Sequence, residues 1–586
     1  MANATVTKKV VLCALNAKYI HSSLSLRYLQ AYCRQYNNCQ IDIREFTINQ
    51  SASETMAEIF LLQPDILAFS CYIWNINKIC EICADYKKVA PSTHIILGGP
   101  EVSYDSVEVL QDRPYIDCIV RGEGELSFNE LITVLLESAP LHDVAGITYR
   151  DGAEIHHNQD RDLIINLDQI PFPYQGCMDS LADRTVYYES SRGCPFNCSY
   201  CLSSTIKGVR YFSLPRVKRD LQILLQQQVR EIKFVDRTFN SDEKRAREIM
   251  EFIVANRGRA QVHLEIDAGI ISDSLMDYLA GVPHGIFNFE IGIQSTFKPA
   301  LDAVRRRHDW ERSSYNIQKL RSFANIHLHL DLIAGLPHET YQDFSRTFNM
   351  VFSLQPDYLQ LGFLKLLKGS DLRRESWRNN YSFQTQPPYQ ILSHNHLEYH
   401  EVLALTRIEE LLDRYYNSGH MCKTMNYIRK EIYTDNPIGF FKEFADYWLN
   451  KRLFGLGHKN EALYTYLLSF IRERHALHFF TCHELMKYDY LCKNHKYTLP
   501  EGLISHNPDN VNDLIYSYTR NQEFIANYIP EYIGLSPREI KKQLHLEYFH
   551  LDPRSMNKVS QSTAVLFSYD AHTKTAARII YLDEIQ

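Results

Sequence analysis

Twice along this chain, continuous apolar runs alternate with amphipathic stretches of helical period, and that alternation leaves few architectures open. In the first series the apolar runs lie at 10–15, 40–45, 66–70, 94–97 and 116–120, with helices predicted near 23–36, 53–63, 76–89 and 103–110. Strands that are apolar on both faces belong to a parallel sheet covered by helices on each side. The series therefore predicts an α/β unit, a doubly wound, Rossmann-like domain over residues 1–140. A second series has runs at 186–190, 231–235, 262–266, 287–291, 327–332 and 358–363, separated by helical stretches, which predicts a partial (β/α)6 barrel over residues 185–387. Residues 141–184, with Pro171, Pro173 and Gly176, read as a linker. Residues 388–586 read as a mainly α-helical domain, with a strand pair near 563–569 and 576–582 turning at Asp570-Ala571-His572-Thr573.

At about 150 residues per domain, 586 residues give three or four domains. The net charge of −7 excludes a generally basic surface that coats nucleic acid, and the run Arg305-Arg306-Arg307-His308 reads as a solvated helix face. The first apolar run, 10–15, is too short for a secretory leader or a membrane span, which predicts a soluble cytoplasmic protein with no membrane partner. In that reducing compartment the fourteen cysteines are thiols, most of them small buried hydrophobes.

Ligands of doubly wound sheets lie beyond the carboxyl ends of the strands, here the loops 16–22, 70–75, 98–103 and 122–127. The dinucleotide fingerprint is missing, because the first strand runs into Asn16-Ala17-Lys18-Tyr19 without the glycines. His21 in that loop reads as a surface histidine. The segment Ser191-Arg192-Gly193-Cys194-Pro195-Phe196-Asn197-Cys198-Ser199-Tyr200-Cys201 packs three thiols into eight residues just after the first strand of the second series. One loop with that spacing wraps one metal centre, and thiolates suit iron–sulfur clusters or zinc. A structural zinc site needs a fourth ligand, and no cysteine lies between 202 and 421.

The motif Cys-x3-Cys-x-aromatic-Cys after the first strand of a six-stranded barrel resembles the radical S-adenosylmethionine (SAM) superfamily. The resemblance implies a 4Fe-4S cluster on Cys194, Cys198 and Cys201, with SAM on the fourth iron and a role for Tyr200 beside it. Asp236-Arg237-Thr238-Phe239-Asn240 resembles the stretch beside the methionine amino group, and Glu265 and Asp267 stand where the family approaches the ribose. Glu290-Ile291-Gly292-Ile293-Gln294-Ser295 is similar to the family's Glu-x-Gly-x-Gln-Ser run, and the segment ending in Gly335 to its adenine-packing strand. With a doubly wound domain ahead of the barrel, the chain resembles the cobalamin-binding branch, in a subgroup with a large helical C-terminus. That implies cobalamin near Ser70, Gly98, Gly99, Glu101, Gly122 and Glu123. An Asp-x-His-x-x-Gly motif is absent, so cobalamin is expected without a histidine lower ligand from the protein.

The resemblance implies an oxygen-sensitive enzyme that generates a 5′-deoxyadenosyl radical and methylates an unactivated centre, served by an electron donor such as flavodoxin or ferredoxin. Two other readings stay open: a radical enzyme that does not methylate (a rearrangement, a cyclisation or tRNA sulfur insertion), and a non-catalytic cobalamin or redox sensor. Small-molecule, peptide and nucleoside substrates are all compatible with the sequence, whereas the acidic balance speaks against nucleic acid.

Overall fold

Strand and helix alternate along most of the chain as the sequence predicts, and the computed structural model describes residues 8–36, 40–176, 181, 184–227, 229–495, 498–570, 573 and 575–584. The chain divides into two compact units, residues 1–347 with 354–356 and 360–402, and residues 348–353 with 357–359 and 403–586.

The first sheet of the first unit contains β1 (Lys9–Asn16), β2 (Gln40–Thr47), β3 (Ile66–Ser70), β4 (His94–Gly98), β5 (Cys118–Val120), β6 (Ile147–Asp151) and β7 (Glu154–His157), in the order β2-β1-β3-β4-β5-β6-β7. Pairings among the first five strands are parallel. Around them lie α1 (Leu24–Tyr36), α2 (Ala52–Leu62), α3 (Ile76–Val89), α4 (Pro100–Ser103), α5 (Ser106–Asp112) and α6 (Gly124–Glu137). Each strand feeds both covered faces. Val11, Cys13 and Leu15 pack with Leu67, Ile79 and Val109 on one side, and Val10, Leu12 and Ala14 with Leu26, Phe128 and Leu131 on the other. At roughly 1.5–3 kcal/mol for each large apolar side chain removed from water, this two-sided burial outweighs any local propensity.

The stretch read as a linker departs from that expectation. β6 pairs antiparallel with β5, and β7 with β6, so the first sheet takes up residues 147–157. Asp151-Gly152, with Gly152 at φ +58°, is a hairpin-turn signal that the sequence reading passed over. The hairpin caps an edge of the sheet that would otherwise expose unpaired backbone groups.

The second sheet is six-stranded, β15-β14-β13-β12-β11-β8. Its strands are β8 (Thr185–Tyr188), β11 (Glu231–Phe234), β12 (Gln261–Ile266), β13 (Phe287–Gln294), β14 (His327–Ala334) and β15 (Tyr358–Phe363), and a separate hairpin, β9 (Ser191–Cys194) with β10 (Gly208–Tyr211), follows β8. Helices α7 (Leu214–Gln226), α8 (Glu243–Ala255), α9 (Asp273–Ala280), α10 (Lys298–Ala303), α11 (Trp310–Phe323) and α12 (Tyr341–Ser353) connect the strands. The period of two is plain in β13, where Phe287, Phe289, Ile291 and Ile293 are buried while Asn288, Glu290, Gly292 and Gln294 are only partly so. One face packs on helices and the other lines a polar lumen. The order leaves β8 and β15 as edges, the open form of the predicted barrel.

The second unit is mainly helical, as expected, and includes a helix over Pro437–Asn450, another over Asn460–Arg474 and a third over Phe479–Lys493. In the third, every residue from Thr481 to Leu491 is buried, which requires Glu484 and Lys487 to pair, at 3.1 Å. The strand pair read near 563–569 and 576–582 is part of a three-stranded antiparallel sheet, Leu544–Asp552, Asn557–Tyr569 and Ala576–Tyr581. Residues 571 and 572 of its predicted turn lie outside the described residues. Among the described residues no helix is long and apolar enough to cross a membrane.

Candidate functional site

The three cysteines begin at the end of β9. Residue Gly193 has φ +99°, and a Cβ there would lie 2.1 Å from the Gly208 carbonyl oxygen, so the hairpin closes only around a glycine. Beyond it the chain turns through Pro195, and Cys198 is buried while Cys194 and Cys201 are partly exposed. Ser199 N–H donates to the Val304 carbonyl at 2.9 Å, and Leu372 N–H donates to the Ser199 carbonyl at 2.9 Å, fixing the loop on both sides. Cys194 Sγ lies 3.5 Å from Thr238 Oγ1, and Arg306 Nη1 points at Cys198 Sγ from 3.7 Å. Burial pushes the Cys194 thiol up, opposed by the Thr238 hydroxyl.

This donor set fits an iron–sulfur cluster better than zinc. A tetrahedral zinc draws its sulfurs to about 3.8 Å from one another, given Zn–S of about 2.3 Å. Among the described residues the only His/Cys/Asp/Glu group gathered within 4.8 Å is His483, Glu484 and His506, so the three thiols are spread more widely than one zinc ion demands. That other group is a hydrogen-bond network. His483 Nε2 accepts from Ile504 N–H at 3.0 Å, which puts the proton on Nδ1, and Nδ1 donates to Glu484 Oε1 at 3.2 Å. Lys487 Nζ occupies the same oxygen at 3.1 Å, and no lone pair on His483 is left for a metal.

Around the cysteine loop, the barrel residues sit at several depths. Asp236 is buried, and its oxygens accept from Ser190 N–H (2.9 Å), Ser190 Oγ (2.6 Å) and Ser191 Oγ (2.5 Å), so it fastens the turn from β8 into β9. Glu265 is pushed by burial to a pKa of about 7, against the lowering effect of Arg237. Asp267 Oδ1 accepts from Gly269 N–H at 2.7 Å, capping a single helical turn. Glu290 lies next to Glu265 in register and is held by His263 Nε2 at 2.6 Å and Lys233 Nζ at 3.0 Å. Burial raises its pKa, but those two partners outweigh it and keep the carboxylate well below the usual range. Gln294, at φ +69°, folds its amide over Gly292, where a Cβ would meet Gln294 Nε2 at 2.4 Å, and its buried Oε1 has no partner among the described residues. Tyr200 is partly buried beside Ile333 and Leu364, and Gly335, at φ +92°, lies under Ile391.

The first-domain residues gather at neighbouring strand ends: Ser70 at β3, Gly98, Gly99 and Glu101 at β4, Gly122 and Glu123 at β5. Gly99, at φ +103°, lets the β4 loop lie against Cys71, since a Cβ there would meet the Cys71 carbonyl oxygen at 2.7 Å. Gly122 faces open space. The β1–β3 crevice, where strand order reverses, carries exposed Tyr19 and Trp74, with Tyr72 and Trp74 stacked at 4.4 Å. An open glycine-walled crevice with exposed aromatic faces fits a large, flat, partly apolar ligand.

The acidic members of that set have protein partners. Glu101 is buried, takes the Tyr389 hydroxyl and lies 3.9 Å from Lys368 Nζ. Glu123 accepts from Arg210 at 2.6 and 3.0 Å and from Ile164 N–H at 3.0 Å, with Arg192 at 3.3 Å. Burial raises the Glu123 pKa, but Arg210 and Arg192 bring it below the ordinary carboxylate value.

Four residues were misread or missed. Arg306 is no solvated helix residue: it donates to the Gly292 carbonyl and to Cys198. Arg192 and Arg210 oppose each other across the β9–β10 hairpin, a like-charge pair that requires the first domain's carboxylates. His21 is not on open surface, since its Nδ1 lies 2.8 Å from the Tyr187 hydroxyl. Arg192, adjacent to the cysteine motif, was the one legible signal.

A family model described as the B12 binding domain matches residues 10–132, one described as the radical SAM superfamily matches 188–351, and one described as a protein of unknown function, DUF4080, matches 378–567. An uncharacterized methyltransferase of Pyrococcus horikoshii is 28% identical over 369 residues, 61% of this chain and 79% of that protein. The cobalamin-dependent radical SAM methyltransferase TokK of Streptomyces tokunonensis is 26% identical over 357 residues, 58% of this chain, and the match spans about half of TokK (52%). Among solved structures, the cobalamin-dependent SAM radical enzyme OxsB with aqua-cobalamin bound shares the fold with a TM-score of 0.59 at 15% identity, over 83% of this chain and 79% of that one. The two matched domains lie on the two sheets that carry these sites, so the chain contains a B12 binding domain followed by a radical SAM domain and is similar to cobalamin-dependent radical SAM methyltransferases over that length.

Proposed function

We propose that the chain is an oxygen-sensitive enzyme of the cytoplasm that holds a 4Fe-4S cluster on Cys194, Cys198 and Cys201 and cobalamin at the strand ends of its first domain, and uses SAM to methylate an unactivated centre of its substrate. The observation that carries the reading is the pairing of Arg192 and Arg210, on the hairpin that delivers Cys194, with Glu123 and Glu125 at the ligand edge of the first sheet. It makes the two cofactor regions neighbours.

When bound, these groups supply one-electron reductive cleavage of the SAM sulfonium and a cobalt carrier for the methyl group. The chain's own residues do the rest. Cys194, Cys198 and Cys201 would hold the cluster through three thiolates, which would leave a site on it for a further ligand. Arg306 and Thr238 sit against the sulfurs of Cys198 and Cys194, and hydrogen bonds and positive charge there favour the reduced state. Gln294 Oε1 is an acceptor ready for a donor on the ligand, and Asp236 holds the turn that precedes the cysteines. Tyr19, Tyr72 and Trp74 would cover the corrin face and exclude water. Tyr187 engages Nδ1 of His21, and because the sequence has no Asp-x-His-x-x-Gly motif the reading includes no histidine ligand from the protein to cobalamin. Electrons would come from a small donor such as flavodoxin or ferredoxin.

The test is anaerobic reconstitution of the full chain with iron, sulfide and hydroxocobalamin, followed by product analysis from SAM, with Cys198→Ala as control. S-adenosylhomocysteine together with 5′-deoxyadenosine supports methyl transfer. 5′-Deoxyadenosine alone points to a radical enzyme that does not methylate, and neither product from a loaded cluster rejects the reading.

A further inference from the structure

The arginines around the cysteine loop have unequal partners. Arg192 meets Glu125 at 2.5 Å, Glu189 at 3.0 Å and Glu123 at 3.3 Å. Arg210 meets Glu123 and the Ile164 carbonyl, and Arg306 the Gly292 carbonyl and Cys198. Arg237, at the end of β11, differs. Among the described residues its guanidinium makes no hydrogen bond, and its nearest carboxylate oxygen, Glu265 Oε1, is 3.8 Å away. The side chain is 57% exposed, yet it faces Glu265, Cys201, Tyr72 and Cys194, which come from the barrel, the cysteine loop and the first domain. A guanidinium presents five donors in a planar fork that matches a carboxylate or phosphate in two parallel bonds. Here that fork is held beside the thiols with its donors unused.

Resting on the radical reading above, we propose that Arg237 anchors a carboxylate or phosphate carried by the substrate, which makes the substrate an organic acid or phosphoester and not a neutral lipid. The methionine carboxylate of SAM offers the same chemistry, and the experiment separates the two sources.

The full chain and its Arg237→Gln and Arg237→Lys variants are reconstituted anaerobically, their iron content is measured, and inorganic phosphate is titrated in while its 31P line is followed. A reduced cluster is paramagnetic and broadens the signal of phosphate held beside it. The expected result is saturable broadening in the wild type, weakened about tenfold or more in Arg237→Gln, intermediate in Arg237→Lys, and persistent when SAM is added. The lysine variant carries the comparison if the glutamine variant does not assemble its cluster. Equal broadening in wild type and variants, or none in the wild type, overturns the proposal. Displacement of phosphate by SAM also overturns it, because the anion site is then that of the methionine carboxylate. A chain that assembles no cluster fails the earlier reading, whereas one that assembles it and ignores phosphate fails this one alone.

Discussion

Arg192 and Glu125 lie 2.5 Å apart, joining the hairpin that delivers the first cysteine to the helix that opens after β5. Both side chains are nearly buried, at 11% and 6% exposed, so this pair is screened far less than a surface bridge. Its energetic weight depends on what remains when one partner goes. Removing one member of a buried pair costs about 3–5 kcal/mol when the other is left unpaired. Arg192 keeps Glu123 and Glu189, so Glu125→Gln is expected to cost less, on the order of 1–2 kcal/mol, in urea unfolding. Glu123→Gln should cost more, because it also leaves Arg210 facing Arg192 across the hairpin. A double variant whose loss equals the sum of the two singles would show that the carboxylates do not act as one network.

Gly193→Ala is predicted to abolish cluster assembly while leaving the first domain folded. The substitution forces a Cβ to 2.1 Å from the Gly208 carbonyl oxygen at a φ of +99°, so β9 and β10 must separate next to Cys194. Iron content and the visible absorbance of the reconstituted protein report the outcome. A variant that still loads iron like the wild type would mean that the hairpin does not govern the cysteine loop.

Much of this arrangement was legible beforehand, and the residues show why the rest was not. Period and apolar runs reveal burial, which is local information, so every predicted strand of both sheets appears in place. Cys194, Cys198 and Cys201 share one short loop, and spacing alone brings them together. Arg306 was hidden because a run of basic residues at 305–308 looks alike whether it meets solvent or a sulfur 108 positions away. Glu123 stood where a ligand was expected, but its partner Arg210 is 87 positions distant. The β6–β7 hairpin had a readable Asp151-Gly152 turn, overlooked because prolines further along suggested a linker. The strand over Leu544–Asp552 pairs charged and apolar residues, and buried Glu547 lies 3.4 Å from Lys487 of a distant helix.

Arg306→Gln is expected to make the cluster harder to reduce. The guanidinium points at Cys198 Sγ from 3.7 Å and is anchored on the Gly292 carbonyl, so its charge offsets the negative charge that the cluster gains on reduction. Its removal lowers the midpoint potential, as read by an anaerobic redox titration followed by electron paramagnetic resonance. Arg306→Lys, which keeps the charge but not the planar fork, should recover part of the shift. An unchanged potential in Arg306→Gln would leave Arg306 only a packing role.

Glu339 gives a pH-dependent test that needs no cofactor. It follows β14, is 1% exposed, and accepts from the Ser295 hydroxyl at the end of β13. Burial pushes its pKa up to about 8 from an ordinary 4.5, with the Ser295 hydrogen bond opposing and Asp343 adding to the rise. The folded chain therefore holds this proton more tightly than the unfolded chain. The stability it confers is fully present below 4.5, declines as pH rises above that value, and is lost once the folded pKa near 8 has been passed. From about pH 6.5 to about pH 9 the expected loss is on the order of 2 kcal/mol. Glu339→Gln, a neutral group of the same shape, should match the wild type in acid and keep a higher urea midpoint near pH 9. Equal pH dependence in the two proteins would mean that Glu339 is already ionised at neutral pH and that Ser295, at the turn beside Gln294, is held by a carboxylate.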